Sequence, residues 1–333
     1  MLFIHADRMN QKISRFEKII GDAIDEVVLR EKPESLFDPV RYILSIGGKR
    51  LRPLLTLLAA DMYGVDPMVA VEPALAVEIF HNFSLLHDDL MDQADMRRGM
   101  PTVHRKWNAN SAILSGDAMM IESYRHVVNV PQHLLPQVLH IFSNMAMDIC
   151  KGQQYDMDFE SRLNVNEEEY LEMIRLKTAV LLGSALKIGA ILAEAPPEDA
   201  DLLYRYGVHI GIAFQLKDDL LDVYGDPITF GKKIGGDILA NKKTYLLIKA
   251  LHNADEAQRA ALEQWIAALD PDPLEKITFV KNLYDQLNLK QLAENLIEKY
   301  YLASLDLLSS IKVTDDRKMD LLRLSEKLMY REK

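Results

Sequence analysis

His-Asn-Phe-Ser-Leu-Leu-His-Asp-Asp-Leu-Met-Asp-Gln-Ala-Asp-Met-Arg-Arg, residues 81–98, is an apolar helical segment that ends in three carboxylates and two arginines. On a helix, Asp88 and Asp92 stand one turn apart on one face, with Asp89 about 100° round. Carboxylates so close repel one another unless positive charge lies among them. Residues 215–222, Gln-Leu-Lys-Asp-Asp-Leu-Leu-Asp, repeat the spacing with Asp218, Asp219 and Asp222. Each set closes an apolar segment, where close packing without counter-ions is costly.

Working outward, helical periodicity dominates the chain, as in residues 10–30 and 315–330, where apolar and charged positions recur every three or four residues. The spacing predicts helices over 9–31, 36–46, 50–63, 69–93, 109–128, 132–159, 166–194, 198–224, 241–252, 256–268, 273–285, 288–311 and 315–331. The 15 glycines and 13 prolines concentrate at breaks such as Gly47-Gly48, Arg52-Pro53, Ala195-Pro196-Pro197 and Gly225-Asp226-Pro227. No Val/Thr/Tyr runs bounded by Asn-Gly turns signal hairpins. The expectation is an all-α chain forming a single domain over residues 1–333. Two helical domains split near residue 196 is the alternative, disfavoured because the aspartate sets fall on either side.

Composition narrows the partners. The 333 residues are 49% hydrophobic and 27% charged, ordinary for a globular protein with a substantial core. A formal net charge of −11 argues against nucleic acid, whose phosphates need clustered Lys and Arg. The single cysteine, Cys150, excludes an intramolecular disulfide and a Cys-rich zinc site, and is read as a small core residue. Residues 1–30 lack a signal-peptide apolar stretch. The apolar run 179–195 is broken by Lys187 and is too short to span a bilayer. A soluble, cytoplasmic protein without an integral membrane segment is expected.

The acidic spacing suits Mg²⁺, which prefers hard oxygens, keeps several waters and bridges a few carboxylates to substrate phosphates. Two such sets could hold a cluster of ions around one diphosphate. Gly47-Gly48-Lys49-Arg50-Leu51-Arg52-Pro53 offers a second anion site. Its glycines permit close backbone approach before a helix start, and Lys49 and Arg52 can converge. A solvated basic turn is the plain alternative. His81 lies two turns before Asp88 on nearly the same face, where a histidine is commonly only a core or surface residue. His87 beside Asp88 could hint at a His/Asp phosphohydrolase, which leaves the second aspartate set without a reason. Arg97, Arg98, Lys177, Lys232, Lys233, Lys242 and Lys243 lie near the acidic sets in sequence. Arginine suits bidentate phosphate contact, and lysine supplies a point charge.

Gly-Gly-Lys-Arg-Leu-Arg-Pro, Leu-Leu-His-Asp-Asp-Leu-Met-Asp with Arg-Arg-Gly, Lys-Thr-Ala, Phe-Gln-Leu-Lys-Asp-Asp-Leu-Leu-Asp and Gly-Lys-Lys-Ile-Gly-Gly-Asp-Ile together resemble the trans-polyprenyl diphosphate synthases. The resemblance runs from about residue 40 to 250, in order and at family spacing. It implies a single all-α bundle of long antiparallel helices around a central cavity, usually a homodimer. It further implies that Asp88, Asp89, Asp92, Asp218 and Asp222 bind three Mg²⁺ holding an allylic diphosphate, with Asp219 in support. Arg97, Lys177, Lys232 and Lys242 would face that diphosphate too. Gly48, Lys49, Arg52, His81 and Arg98 would hold isopentenyl diphosphate. Thr178 and Gln215 would sit beside the developing cation, and Gln153 and Asp156 near the metals. The tail Arg331-Glu332-Lys333 resembles tails that close over the site; a frayed basic end is the alternative.

The implied reaction is ionisation of the allylic C–O bond, attack by the isopentenyl double bond and loss of a proton, in an apolar cavity that excludes water. Phe83 lies five residues before Asp88, about 7.5 Å down the axis. With Phe80 it resembles the floor of short-chain enzymes, while Ser84 leaves room between. Ideal geometry turns Phe83 about 140° from Asp88 and puts Ser84 more nearly beneath the acid. The two-residue insertion that many bacterial farnesyl synthases carry between the second and third aspartates is absent. That departure leans towards the geranylgeranyl type, and a fifteen- to twenty-carbon product is expected. The alternatives are a longer-chain synthase, a terpene cyclase of the same fold and a non-catalytic partner subunit. A cyclase would carry an Asn/Ser/Glu pattern in the second set, and a partner subunit would lack intact aspartate sets.

Overall fold

A computed structural model describes residues 2–27, 31–225 and 234–329. Among them the chain is helical throughout, apart from a ribbon of two short antiparallel strands. The chain divides into two compact units, each drawn from three stretches: 1–144, 184–204 and 311–321 in one, and 145–183, 205–310 and 322–333 in the other.

In the first unit, α1 (Leu2–Val27), α2 (Glu34–Ser45) and α3 (Leu51–Met62) precede a 3₁₀ turn (Pro67–Ala70) that leads into α4 (Val71–Met91). The carboxylate of Asp66 accepts from the Met68 amide, and Pro67 opens the turn. Leu75, Ile79, Phe80, Phe83 and Leu86 of α4 are buried, against α3 and against α6 (Ala109–Val127). Pro67–Met91 is long and apolar enough to cross a membrane by length and composition, yet 72% of its most apolar window is buried inside the fold. That burial marks a core helix. Helix α4 stops where Asp92 caps it and Gln93 turns left-handed, with φ of +53°.

Between α4 and α5 (Val103–Lys106), Met96–Arg97 pairs antiparallel with Met100–Pro101. Arg98 and Gly99 both have positive φ, +52° and +77°, as a tight primed hairpin turn requires. No Asn-Gly turn announces this ribbon in the sequence, because an arginine occupies the first left-handed position.

Next along the chain come α7 (Leu135–Glu160), α8 (Glu167–Ile174), α9 (Val180–Leu192) and α10 (Pro197–Tyr224); α8 and most of α7 and α10 belong to the second unit, and most of α9 to the first. Asn166 and Glu169 form a reciprocal capping box at the start of α8. Residues Arg175–Ala179 then form a π-helical turn, so the helix expected over 166–194 is interrupted. Small residues let the end of that turn and the helix after it touch α10: a Cβ on Gly207 would lie 2.7 Å from Gly183 Cα, and one on Gly211 2.6 Å from Ala179 Cα. Later helices are Gly236–Leu239, Tyr245–Asn253, Glu256–Ala267, Pro273–Gln286, Leu289–Ser310 and Asp315–Met329. The helix expected from 241 starts at Tyr245, because Thr244 caps it. The first helix begins at Leu2 rather than residue 9.

Cys150 is exposed, against the expectation of a core residue. Helix α7 buries Val138, Phe142, Met145 and Ile149, at helical spacing. The next residue stands about 100° round, towards solvent.

Candidate active site

In the first unit the end of α4 and the ribbon build one cluster. Arg97 grips Asp89 with both ends of its guanidinium: Nε donates to Oδ2 at 2.7 Å, and Nη2 lies 2.7 Å from Oδ1. The same Nη2 lies 3.5 Å from Asp88 Oδ2. Burial pushes the Asp89 carboxyl up, and it stays raised against the opposing pull of Arg97. Asp92 is exposed at the helix end, its amide donating to Asp88 O at 2.9 Å.

A second cluster lies two turns down α4. Arg52 Nη1 is 3.0 Å from His81 Nε2. Burial holds the His81 pKa well below its usual value, with Arg52, Arg98 and Arg97 adding to the effect. The ring is therefore neutral at pH 7, and Nε2 accepts from the arginine. Gly48, with φ of +150°, lies under the Arg98 guanidinium, where a Cβ would come within 2.7 Å of Nη1. Lys49 is exposed just before α3. Sequence reading missed Glu78, which is buried one turn before Asn82 and accepts from Asn82 Nδ2 at 3.1 Å. Burial raises its pKa, although Arg52, Arg98 and Arg50 all favour the charged form. A lone acid inside the apolar run 73–80 was the available signal.

The chain-length residues follow the same helix. Phe83 packs edge-on against Phe80 at 5.2 Å and His87 at 4.8 Å, and Phe80 against Phe142 at 5.6 Å. The Ser84 hydroxyl turns back to donate to His81 O at 2.8 Å.

The second unit gathers the remaining described residues. Lys177 Nζ donates to Asp156 Oδ2 at 2.6 Å. Burial raises the Asp156 carboxyl, but Lys177 and Lys242 outweigh it and hold the pKa below the usual range. Gly152 makes room for the turn carrying Lys177, since a Cβ there would collide with the Lys177 amide nitrogen. Thr178 Oγ1 donates to Gln215 Oε1 at 3.2 Å, and Gln215 Nε2 to Asp219 Oδ1 at 2.8 Å. Asp219 is pushed up to about 7 by burial and by Asp237, against Lys242. Tyr170, another residue sequence reading passed over, donates to Asp219 Oδ2 at 2.5 Å.

Asp222 Oδ2 accepts from the Asp237 amide at 3.0 Å, and its carbonyl accepts from Gly235 N at 2.7 Å. Asp237 is itself a carboxylate of this group, within the Gly-Gly-Asp-Ile segment but unassigned from sequence. Asp218 and Gln153 are half-buried. Lys232, Lys233 and the tail Arg331-Glu332-Lys333 lie outside the described residues.

Both acidic sets offer only carboxylate oxygens, the donors that Mg²⁺ prefers. Among the described residues no three His, Cys, Asp or Glu side chains converge on one point. Arg97 already supplies a cation to Asp89 and Asp88, which shows how strongly those carboxylates call for one.

Helices that end in carboxylate sets, flanked by arginine and lysine, are the parts of a protein that handles diphosphates. The polyprenyl synthetase family model matches residues 33–286. The chain is 40% identical over 292 residues to a geranylgeranyl diphosphate synthase of Methanosarcina mazei, covering 85% of this chain and 89% of that one. It is 38% identical over 263 residues to a geranylfarnesyl diphosphate synthase of Natronomonas pharaonis, covering 74% and 77%. A crystal structure of a geranylgeranyl pyrophosphate synthase superposes with a TM-score of 0.92 at 43% identity, over 96% of this chain and 99% of that one. The chain belongs to the polyprenyl synthetase family and is a prenyl-transferring enzyme of the all-α isoprenoid synthase fold. The family acts on isopentenyl and allylic diphosphates and uses Mg²⁺.

Proposed function

We propose that this enzyme joins isopentenyl diphosphate to an allylic diphosphate and stops at fifteen to twenty carbons. One observation carries the reading: carboxylates of both aspartate sets have cationic side chains close by, Arg97 at Asp89 and Lys242 at Asp219. Such acid–base mosaics suit a ligand that is itself polyanionic and arrives with cations.

In this reading Asp88, Asp89, Asp92, Asp218 and Asp222 would hold three Mg²⁺, with Asp219 behind the second set. Ions held there would supply charge neutralisation for the departing diphosphate. Arg97, Lys177, Lys232 and Lys242 bind the allylic diphosphate and stabilise the charge it acquires as the C–O bond breaks. Gly48, Lys49, Arg52, His81 and Arg98 hold isopentenyl diphosphate. His81, neutral and accepting from Arg52, fixes the guanidinium's direction. The oxygens of Thr178 and Gln215 stabilise the allylic cation, and Phe83, with Phe80 and Ser84, limits the tail. The whole chain is read as one catalytic domain.

A homodimer is part of the proposal. Leu114, Ile121 and Val128 recur at seven-residue spacing along α6 and just beyond it, and expose 60%, 60% and 52% of their surface. An unpaired apolar stripe of this kind supports burial against a second copy. Acting on water-soluble diphosphates, the enzyme is placed in the cytoplasm.

Consumption of isopentenyl diphosphate tests the reaction class. Purified protein with Mg²⁺ is given dimethylallyl, geranyl or farnesyl diphosphate in turn, with and without isopentenyl diphosphate. Pyrophosphate release that depends on isopentenyl diphosphate supports condensation. Release without it, with a cyclic hydrocarbon formed, means a cyclase.

A further inference from the structure

Four side chains of the second unit form one hydrogen-bonded line. Tyr170 Oη donates to Asp219 Oδ2 at 2.5 Å, Gln215 Nε2 donates to Asp219 Oδ1 at 2.8 Å, and Thr178 Oγ1 donates to Gln215 Oε1 at 3.2 Å. Tyr170 exposes 1% of its surface and Asp219 4%. Both oxygens of Asp219 accept, one from Tyr170 and one from Gln215, so the Gln215 edge that meets it is its NH₂. The carbonyl of Gln215 is then forced to the Thr178 side. Asp219 thus decides which way the Gln215 amide faces, and Tyr170 decides where the Asp219 carboxylate sits.

The backbone is arranged for this line. Tyr170 and Thr178 are eight residues apart, and in an unbroken α-helix they would stand about 80° from one another. The π-helical turn Arg175–Ala179 intervenes, with wider i→i+5 bonding. Thr178 reaches Gln215 while Tyr170 reaches Asp219 on the same neighbouring helix, α10. Gly211 lets α10 approach closely, its would-be Cβ falling on Ala179.

We infer that Tyr170 is a positioning residue: through Asp219 it keeps the carbonyl oxygen of Gln215, rather than its NH₂, turned towards the allylic cation. The inference rests on the role given to Gln215 in the proposed function. With the amide reversed, the positive end of its dipole would oppose the developing charge. The penalty would fall on the chemical step and spare binding.

Tyr170→Phe keeps the ring and deletes only the hydroxyl. In the full-length enzyme we expect kcat to fall about tenfold or more, as for loss of a group aimed at developing charge. KM for both diphosphates and the Mg²⁺ concentration for half-maximal rate should stay within about twofold of wild type, since binding is untouched. A double-variant cycle separates positioning from general loosening. In a Gln215→Leu background, Tyr170→Phe should lower kcat no further. Equal losses in both backgrounds, or an unchanged kcat in Tyr170→Phe, would overturn the inference.

If Tyr170→Phe does not fold, Tyr170→Met fills the same space without a donor, and kcat should fall while half-maximal Mg²⁺ stays put. A change confined to the Mg²⁺ requirement would contradict the inference. Wild-type protein that fails to consume isopentenyl diphosphate would instead sink the function reading, which keeps the two failures apart.

Discussion

Arg97 holds Asp89 bidentately, 2.7 Å at each end, from a hairpin turn eight residues further along the chain. Asp89 exposes only 2% of its surface, so its charge depends on that guanidinium. Arg97→Met would leave the acid buried and uncompensated, at a cost of about 3 kcal/mol to the ligand-free protein. Added Mg²⁺ should recover more stability in the variant than in wild type, because it replaces the lost cation. Urea melts with and without Mg²⁺ check this. Equal Mg²⁺ effects on both proteins would show that no ion reaches these carboxylates.

Gly48 sits beneath Arg98 at a φ that side chains rarely adopt. Gly48→Ala pushes the guanidinium away from the turn while leaving the acidic sets intact. The KM for isopentenyl diphosphate should rise about tenfold, equivalent to ~1.4 kcal/mol of lost binding. The KM for the allylic primer should move little. Steady-state kinetics with each substrate varied in turn would expose a symmetric loss, which counts against separate binding places.

Phe83 packs between Phe80 and His87 on α4. Phe83→Ala should lengthen the product by at least one five-carbon unit. It should also cost about 3–5 kcal/mol of stability, as for other buried phenylalanines. Mass spectrometry of the product reads the first effect and thermal melting the second. A destabilised variant with unchanged product length makes Phe83 a core aromatic and no more.

His126 is buried beside Glu72 and Glu122. Burial alone lowers its pKa, but the hydrogen bonds to Glu122 and Glu72 prevail and raise it above 6.5. The stability it contributes is complete below pH 6.5 and is lost as pH rises through the higher folded value. Wild type should therefore lose more stability between pH 6 and 8.5 than His126→Gln does. Parallel losses in denaturant melts would show that another group carries the dependence.

Much of the fold was legible in the sequence because helices announce themselves by period. The helices around both acidic sets, expected over 69–93 and 198–224, appear at Val71–Met91 and Pro197–Tyr224. The aspartate sets were legible for the same reason, since their spacing acts within one helical turn. What stayed hidden depends on tertiary neighbours. The π turn at Arg175–Ala179 leaves no break residue in Arg-Leu-Lys-Thr-Ala. Tyr170 reads as an ordinary aromatic until α10 brings Asp219 to its hydroxyl. The ribbon at Met96–Pro101 escaped because Arg98 stands where a turn-former was sought. Glu78 was visible as a charge in an apolar run, but only the arginines around it give that charge a meaning.

Product length tests the proposed function most directly. Purified wild-type protein, Mg²⁺, isopentenyl diphosphate and dimethylallyl, geranyl or farnesyl diphosphate are incubated, and the products are measured by mass spectrometry. Elongation should stop at fifteen or twenty carbons. Products that run past thirty carbons would contradict the role given to Phe83 and its neighbours, and no elongation from any primer would contradict the reaction itself.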